Sequence, residues 1–200
     1  MVSVMPTGSI HPKSTYVLGV DLNRKGKDST AFVVLENPFN SDGIFLVYVE
    51  VKNYDSLTQP IGRILFLNSL FNFKKIYIDT TGLGGGVTDV LTEKLGSGIV
   101  EEVIFTRISK PHMFNNLRLL MQQQKIYFPN YLTTKKEEHK KLYFQFLSIN
   151  QAFSSDSEMP KISHQPRTHD DIICALALAS LEFQPKNTIS RSYSLVGVNR

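Results

Sequence analysis

The chain has little cysteine. Cys174 stands alone in 200 residues, which excludes an internal disulfide and a cysteine-built zinc site. That fits a reducing compartment, and the thiol reads first as a small buried hydrophobe. Long apolar runs are also missing. No stretch reaches the roughly 18 residues needed to span a bilayer, and the N-terminus MVSVMPTGSIHPKS lacks the basic-then-apolar order of a signal peptide. The expectation is a soluble, intracellular chain with no membrane partner. No internal repeat or low-complexity tract appears. A nucleotide loop is missing too: Gly82-Leu83-Gly84-Gly85-Gly86 opens a helix, but no Lys-Ser/Thr pair follows it. Those glycines read instead as a sharp turn that lets a backbone or ligand come close.

What is present suits one globular domain. A hydrophobic content of 42% over 200 residues can bury a substantial core without metal or disulfide support. The net charge of +4, with pI near 9.1, is compatible with a polyanionic partner and also with simple solubility.

Apolar periodicity sets the order of elements. Residues 16–21, 30–35 and 44–49 are apolar and β-branched, separated by turn chemistry at 23–28 and 37–43, and predict three consecutive antiparallel strands. Helical spacing follows over 57–71, then a strand at 75–79, the glycine turn and a helix at 87–95. A strand over 99–106, a helix over 111–124 with Met113, Leu117, Leu120 and Met121 inside, and a short strand at 126–128 complete the middle. A helix over 135–148 with Leu142, Phe146 and Ile149 inward comes next, then a loop or irregular hairpin over 154–167. The last helix, 170–181, is apolar on nearly every side, which predicts burial on several faces. This pattern predicts an α/β fold: a mixed central sheet, an antiparallel three-strand meander plus parallel strands, flanked by helices. Residues 1–15 read as a leader or linker stub, 16–183 as the folded domain and 184–200 as a flexible C-terminal tail.

Three acidic positions fall at the ends of these elements: Asp21 after the first strand, Asp79 after the fourth, and Asp170 with Asp171 at the start of the last helix. A lone aspartate in such a place is ordinarily a turn former or cap. Acids gathered at strand ends within one crossover sheet make a shared cluster the stronger reading. Converging carboxylates in apolar surroundings repel unless a cation joins them, and all-oxygen ligands suit Mg2+ or Mn2+. Two such ions about 3.5–4 Å apart can hold both oxygens of an in-line phosphoryl displacement.

The segments Leu18-Gly19-Val20-Asp21 with Asp28 and Thr30, Tyr77-Ile78-Asp79-Thr80-Thr81-Gly82-Leu83-Gly84, and His169-Asp170-Asp171 through Ala179 resemble the nuclease domain of the large terminase subunit of tailed bacteriophages. Lys110 with its helix and Ile126-Tyr127-Phe128-Pro129 share the resemblance, which covers about residues 16–183. The Gly-Val-Asp strand is the least specific motif, since resolvases, transposases and actin-like ATPases have it. The Asp-Thr-Thr-Gly-Leu-Gly turn and His-Asp-Asp helix start are more diagnostic.

The resemblance implies an RNase H-like fold and a two-metal endonuclease that cuts concatemeric viral double-stranded DNA during genome packaging, in the cytoplasm of an infected host cell. It implies further partners: an ATPase domain upstream or on another chain, the small terminase subunit and the portal. It implies that Asp21 bridges both Mg2+ or Mn2+ ions, Asp79 holds one, and the pair Asp170 and Asp171 the other. Many relatives carry a further acid where this chain has Cys174, and a thiol is a poor magnesium ligand. That shifts the load onto Asp170 and Asp171, with Asp171 preferred because it shares a helix face with Cys174. Gly82, Gly84 and His169 are supporting candidates, although His169 could equally be a helix-cap neighbour. Arg24, Lys25, Lys27, Arg107 and Lys110 are candidate contacts to DNA phosphates, while Lys135, Lys136, Lys140 and Lys141 read as a salt-bridged helix face. A Holliday-junction-resolvase or transposase-like nuclease is the alternative within the same fold; an actin-like nucleotide-binding module needs a duplicated half for which there is no room.

Overall fold

Strand β1 (Thr15–Asp21) pairs antiparallel with β2 (Thr30–Asn37), and β2 with β3 (Ile44–Lys52), giving the expected meander. The computed structural model describes residues 10–22, 29–83, 85–130, 132–152, 161–164 and 169–184. The meander is extended by three parallel pairings: β4 (Lys75–Asp79) on β1, β5 (Val100–Val103) on β4, and β6 (Ile126–Tyr127) on β3. The resulting order is β5-β4-β1-β2-β3-β6, with β1 and β2 in the middle. Central position explains composition: β2 is buried along nearly its whole length, as a strand covered on both faces must be.

Side chains alternate between two apolar layers. Leu18, Val20, Phe32, Val34, Ile76 and Ile78 face α1 (Thr58–Phe71) and α2 (Gly86–Leu95). Val17, Ala31, Val33 and Leu35 face α3 (Ser109–Gln122), α4 (Glu137–Ser148) and α5 (Asp171–Ser180). Pro60 is tolerated in α1 because it lies in the first turn, where its missing N–H would have no intrahelical partner. Asn72 closes that helix in the left-handed region, φ 52°, donating its N–H to the Asn68 carbonyl.

Several boundaries move. Order begins before Tyr16, because the His11 N–H donates to the Tyr16 hydroxyl at 2.8 Å and His11 Nδ1 meets Glu36 Oε1 at 3.0 Å. α3 starts two residues earlier than expected and takes Lys110 into its first turn. Met121 is 40% exposed and lies outside the inner stripe. Ile149 leaves α4 and opens β7 (Ile149–Ala152), which pairs antiparallel with β8 (Lys161–His164), a strand that falls inside 154–167, expected as a loop or irregular hairpin. Lys140 and Glu137 form the i,i+3 ion pair expected on α4.

α5 is buried from Asp171 to Ser180 and crosses β1 and β2 very closely. Gly19 makes that possible: a β-carbon there would sit 2.0 Å from the Ala175 carbonyl oxygen and 2.6 Å from the Ala179 nitrogen. Only hydrogen fits, and Ala175, Ala177 and Ala179 keep the helix side thin as well. A single 3-10 turn (Leu181–Phe183) follows, where Glu182 accepts the Tyr77 hydroxyl at 2.9 Å and pairs with Lys74 at 2.8 Å. Among the described residues no helix is long and apolar enough to cross a membrane.

Candidate active site

Asp21 and Asp79 end neighbouring parallel strands and are register partners. Identical phase on adjacent strands puts both side chains on one face, the face that α5 covers. Both are buried, at 8% and 6% exposure, as is Asp171 at 8%. Burial pushes the Asp21 carboxyl well above the usual carboxylate range, and repulsion from Asp79, Asp171 and Asp170 pushes it further; Lys110 partly offsets this. Asp21 is thus within electrostatic reach of Asp79, Asp171 and Asp170, the other acids expected in the cluster.

Asp79 and Asp170 each have their own support. The Asp79 Oδ1 accepts the Thr81 N–H at 2.9 Å and the Thr81 hydroxyl at 2.5 Å, and the Thr81 oxygen in turn accepts the Phe105 N–H at 2.7 Å. Burial raises the Asp79 carboxyl, while the Thr81 hydrogen bonds and Lys110 act to lower it. The chain reverses just beyond, with Leu83 N–H donating to the Thr80 carbonyl at 2.8 Å and Gly82 at φ 73°. That φ is left-handed, and the expected glycine requirement holds at Gly82. Gly84 lies outside the described residues.

Asp170 precedes α5, and its Oδ2 accepts the Lys110 ammonium at 2.9 Å and the Cys174 thiol at 3.5 Å. Lys110, expected on DNA phosphate, is therefore engaged with the acidic cluster itself. Its ammonium lies over the rings of Phe105 and Phe114, 5.3 and 5.9 Å from their centroids. Burial would lower the Lys110 pKa, but Cys174, Asp170 and Asp21 more than reverse that and hold it above the ordinary lysine range. Burial and the neighbouring acids push the Cys174 thiol well up.

His169 is exposed at the entrance to α5, and Arg107 is exposed in the turn before α3. Arg24, Lys25 and Lys27 lie outside the described residues. Two supports had no sequence signal pointing to a site. The Gln145 Oε1 of α4 accepts the Ile173 N–H at 2.9 Å, capping α5 from another helix. Asn116 of α3 donates to the Ser180 carbonyl at 2.7 Å, fixing the opposite end of α5.

Chemically, the site is a buried, net negative, all-oxygen donor set, which fits a hard divalent cation. Among the described residues no three acidic, histidine or cysteine side chains already stand at closed metal-shell separations. The repulsion that raises the Asp21 carboxyl is what such a cation would relieve.

No protein-family model matches the chain. It is 26% identical over 176 residues to a large terminase subunit of Thermus virus P23-45, covering 88% of this chain and 33% of that protein. The chain thus spans about a third of the length of the curated relatives it matches. Among solved structures it is similar to the large terminase nuclease of thermophilic phage G20c with bound magnesium, TM-score 0.71, 20% identity, covering 88% of this chain and 86% of the other. The large terminase nuclease domain of bacteriophage SPP1 with bound manganese gives TM-score 0.55 and 18% identity, covering 86% of this chain and 89% of the other. The domain has the large terminase nuclease fold. Within that RNase H-like fold, the mixed sheet and its flanking helices are those expected from the sequence.

Proposed function

We propose that this chain is the nuclease part of a phage large terminase subunit, a metal-dependent endonuclease that hydrolyses phosphodiester bonds of concatemeric viral double-stranded DNA during packaging. The observation that carries this reading is the in-register pair Asp21 and Asp79 beneath the acidic start of α5. The metal-bound G20c and SPP1 nucleases support a divalent cofactor, for which Mg2+ or Mn2+ suits these ligands.

Asp21, Asp79 and Asp171 would hold the cation. When bound, it supplies Lewis-acid polarisation of a phosphodiester oxygen and lowers the pKa of a water that attacks phosphorus. The chain's own residues do the positioning. Thr81 fixes one oxygen of Asp79, so the other is presented from a carboxylate that cannot rotate freely. Burial of the three acids excludes bulk water and strengthens every charge interaction at the reacting centre. Gly82 keeps the turn beside Asp79 free of a side chain, which lets a DNA backbone approach. Arg107, with Arg24, Lys25 and Lys27, would neutralise flanking phosphates, and His169 would stand at the entrance.

The partners on this reading are duplex DNA, an ATPase domain of the same or another chain, the small terminase subunit and the portal, in the cytoplasm of an infected host cell. The test is conversion of supercoiled plasmid to nicked and linear forms with Mg2+ or Mn2+. Undiminished cutting by Asp21→Ala would sink the assigned site, and preference for branched over linear duplex would favour a resolvase instead.

A further inference from the structure

We propose that an aromatic groove at the foot of β2, β3 and β6 is the seat of this chain's own N-terminal segment, residues 2–6, which crosses it as an extended strap. The groove is remote from the carboxylates. It opens on the opposite face of the sheet, and the Tyr16 end of β1 lies about 16 Å along the strand from Asp21.

The sheet itself builds the floor. Tyr16, Glu36, Phe45 and Tyr127 are successive register partners across β1, β2, β3 and β6, so their side chains form one row on the face that carries Phe32 and Val34. α1 covers only one end of that row. Phe71 packs on Tyr16 with ring centroids 5.3 Å apart, whereas Phe45 and Tyr127 stack on each other at 4.9 Å and remain 37% and 49% exposed. Phe39 lines the same groove, 65% exposed, with Lys13 over its ring. The space, walled also by His11, Pro38 and Pro129, measures about 740 Å3. Its shape is set in advance. The Asn37 side-chain amide donates to the Ser41 and Gly43 carbonyls at 2.9 and 2.8 Å, holding the loop that carries Phe39, and a β-carbon on Gly43 would meet the Phe45 and Tyr127 rings at 3.0 and 3.1 Å. A patch of exposed rings at a sheet edge, where β6 supplies only two residues, is a template for wrong pairing unless something covers it.

Two terminal segments of this chain, 1–9 and 185–200, lie outside the described residues, and their points of departure differ. The first leaves from the groove: the His11 N–H donates to the Tyr16 hydroxyl, His11 Nδ1 meets Glu36, and His11 is part of the wall. The second leaves beside Phe183, which packs in the layer on the other face of the sheet. Reach favours the first as well. From β2, where His11 is held, to β6 is two strand spacings, about 10 Å, and six extended residues span about 20 Å. Chemistry agrees with geometry. Residues 1–9, MVSVMPTGS, carry no charged side chain, and the ionisable groups of the groove are already engaged, His11 with Glu36 and Lys13 with Phe39. Pro6 biases Met5 towards an extended backbone, which sends Val4 and Met5 to opposite walls and gives a thioether a ring face to lie on.

The test is the ε-methyl signal of Met5 in the full chain labelled with 13C-methyl methionine, assigned by its loss in Met5→Leu. Seated against the rings, this methyl should lie upfield of its position in a free MVSVMPTGS peptide, show cross-relaxation to aromatic ring protons, and stay unchanged on dilution. Tyr127→Ser and Phe39→Ser, which remove exposed rings, should each move it back towards the peptide value. A Met5 methyl at the peptide position in the wild type would overturn the proposal, as would an upfield shift that survives both ring substitutions. A shift that appears only at high concentration, with sedimentation showing a dimer, would give the groove to a second copy and also overturn it. No metal or DNA enters the measurement, so its outcome is independent of the nuclease reading above.

Discussion

Asp21 and Asp79 are placed by a backbone ladder, whereas Asp170 and Asp171 are placed by what α5 packs against. The strand pair inherits its geometry from β1–β4 register, so it is as well defined as the sheet. The helix pair depends on tertiary contacts scattered through the chain: Gly19 beneath α5, Gln145 at its start, Asn116 and Glu182 at its end. A site assembled this way has one half that is local and one half that is only as accurate as the packing of a single helix.

The comparison can be broken first at the acids. Asp21→Asn should lower plasmid cleavage by roughly a thousandfold, the scale on which loss of one charge-stabilising group at a reacting centre acts. Folding should be preserved in a urea melt, because the strand half does not need its charge to form. A modest loss of cutting would show that Asp21 is not at the centre of the site.

Next in size is the seat of the helix. Gly19→Ala should cost about 3 kcal/mol, the upper range for overpacking a tight interior, since the neighbours it meets are backbone and cannot rotate aside. The midpoint of denaturation reads this directly. A variant as stable and as active as the wild type would mean that α5 has slack, and that the helix half is less dependent on packing than its contacts indicate.

Gln145→Ala then separates capping from packing. It leaves the Ile173 N–H buried without this acceptor, for about 1–3 kcal/mol, and should reduce cutting through Asp171. Thr81→Val, on the strand half, should cost about 2 kcal/mol, since it removes both the hydroxyl's bond to Asp79 and the acceptor of the Phe105 N–H, each worth about 1 kcal/mol net. If Thr81→Val proved the more damaging of the two for stability, the assignment of a local half and a packed half would be reversed.

The smallest effect lies at the other end of the sheet. Burial would raise the Glu36 carboxyl, but hydrogen bonds from Ser14, His11 and Tyr16 outweigh it and bring its pKa below the usual value. A carboxyl depressed on folding stabilises above the unfolded pKa, near 4.3, and loses that contribution as pH falls through the folded value. Glu36→Gln should therefore flatten the acid limb of a stability-against-pH curve, with no change at neutral pH in the response to Mn2+.

The strand half was legible in the sequence because its signal is periodic. Alternation fixes which residues share a face, and an acid closing each of two apolar strands stands out against it. The helix start was legible as a pair of acids, but the division between Asp170 and Asp171 was not. On the proposed reading that division would follow from Lys110, whose chemistry in isolation reads as a phosphate contact; the rings of Phe105 and Phe114 and the facing Asp170 carboxylate turn it inward. Gln145, set among Tyr143, Phe144, Phe146 and Leu147, carries no sequence mark of a cap, since the amide it serves lies 28 residues away. Ile149 and Met121 fit a helical stripe by spacing alone, and the chain's turn into β7 and the edge of α3 removed them from it.

The pairing of Asp21 with Asp79 across one rung of the sheet has a consequence for durability. A slip of one residue by either β1 or β4 would carry that strand's acid to the opposite face, among Leu18, Val20 and Ile78, where the core could not accept it. The arrangement that buries the apolar layers is therefore the arrangement that aims the carboxylates. The site cannot drift while the sheet persists, and slow amide exchange along these two strands would be a record of how long the acids stay aimed.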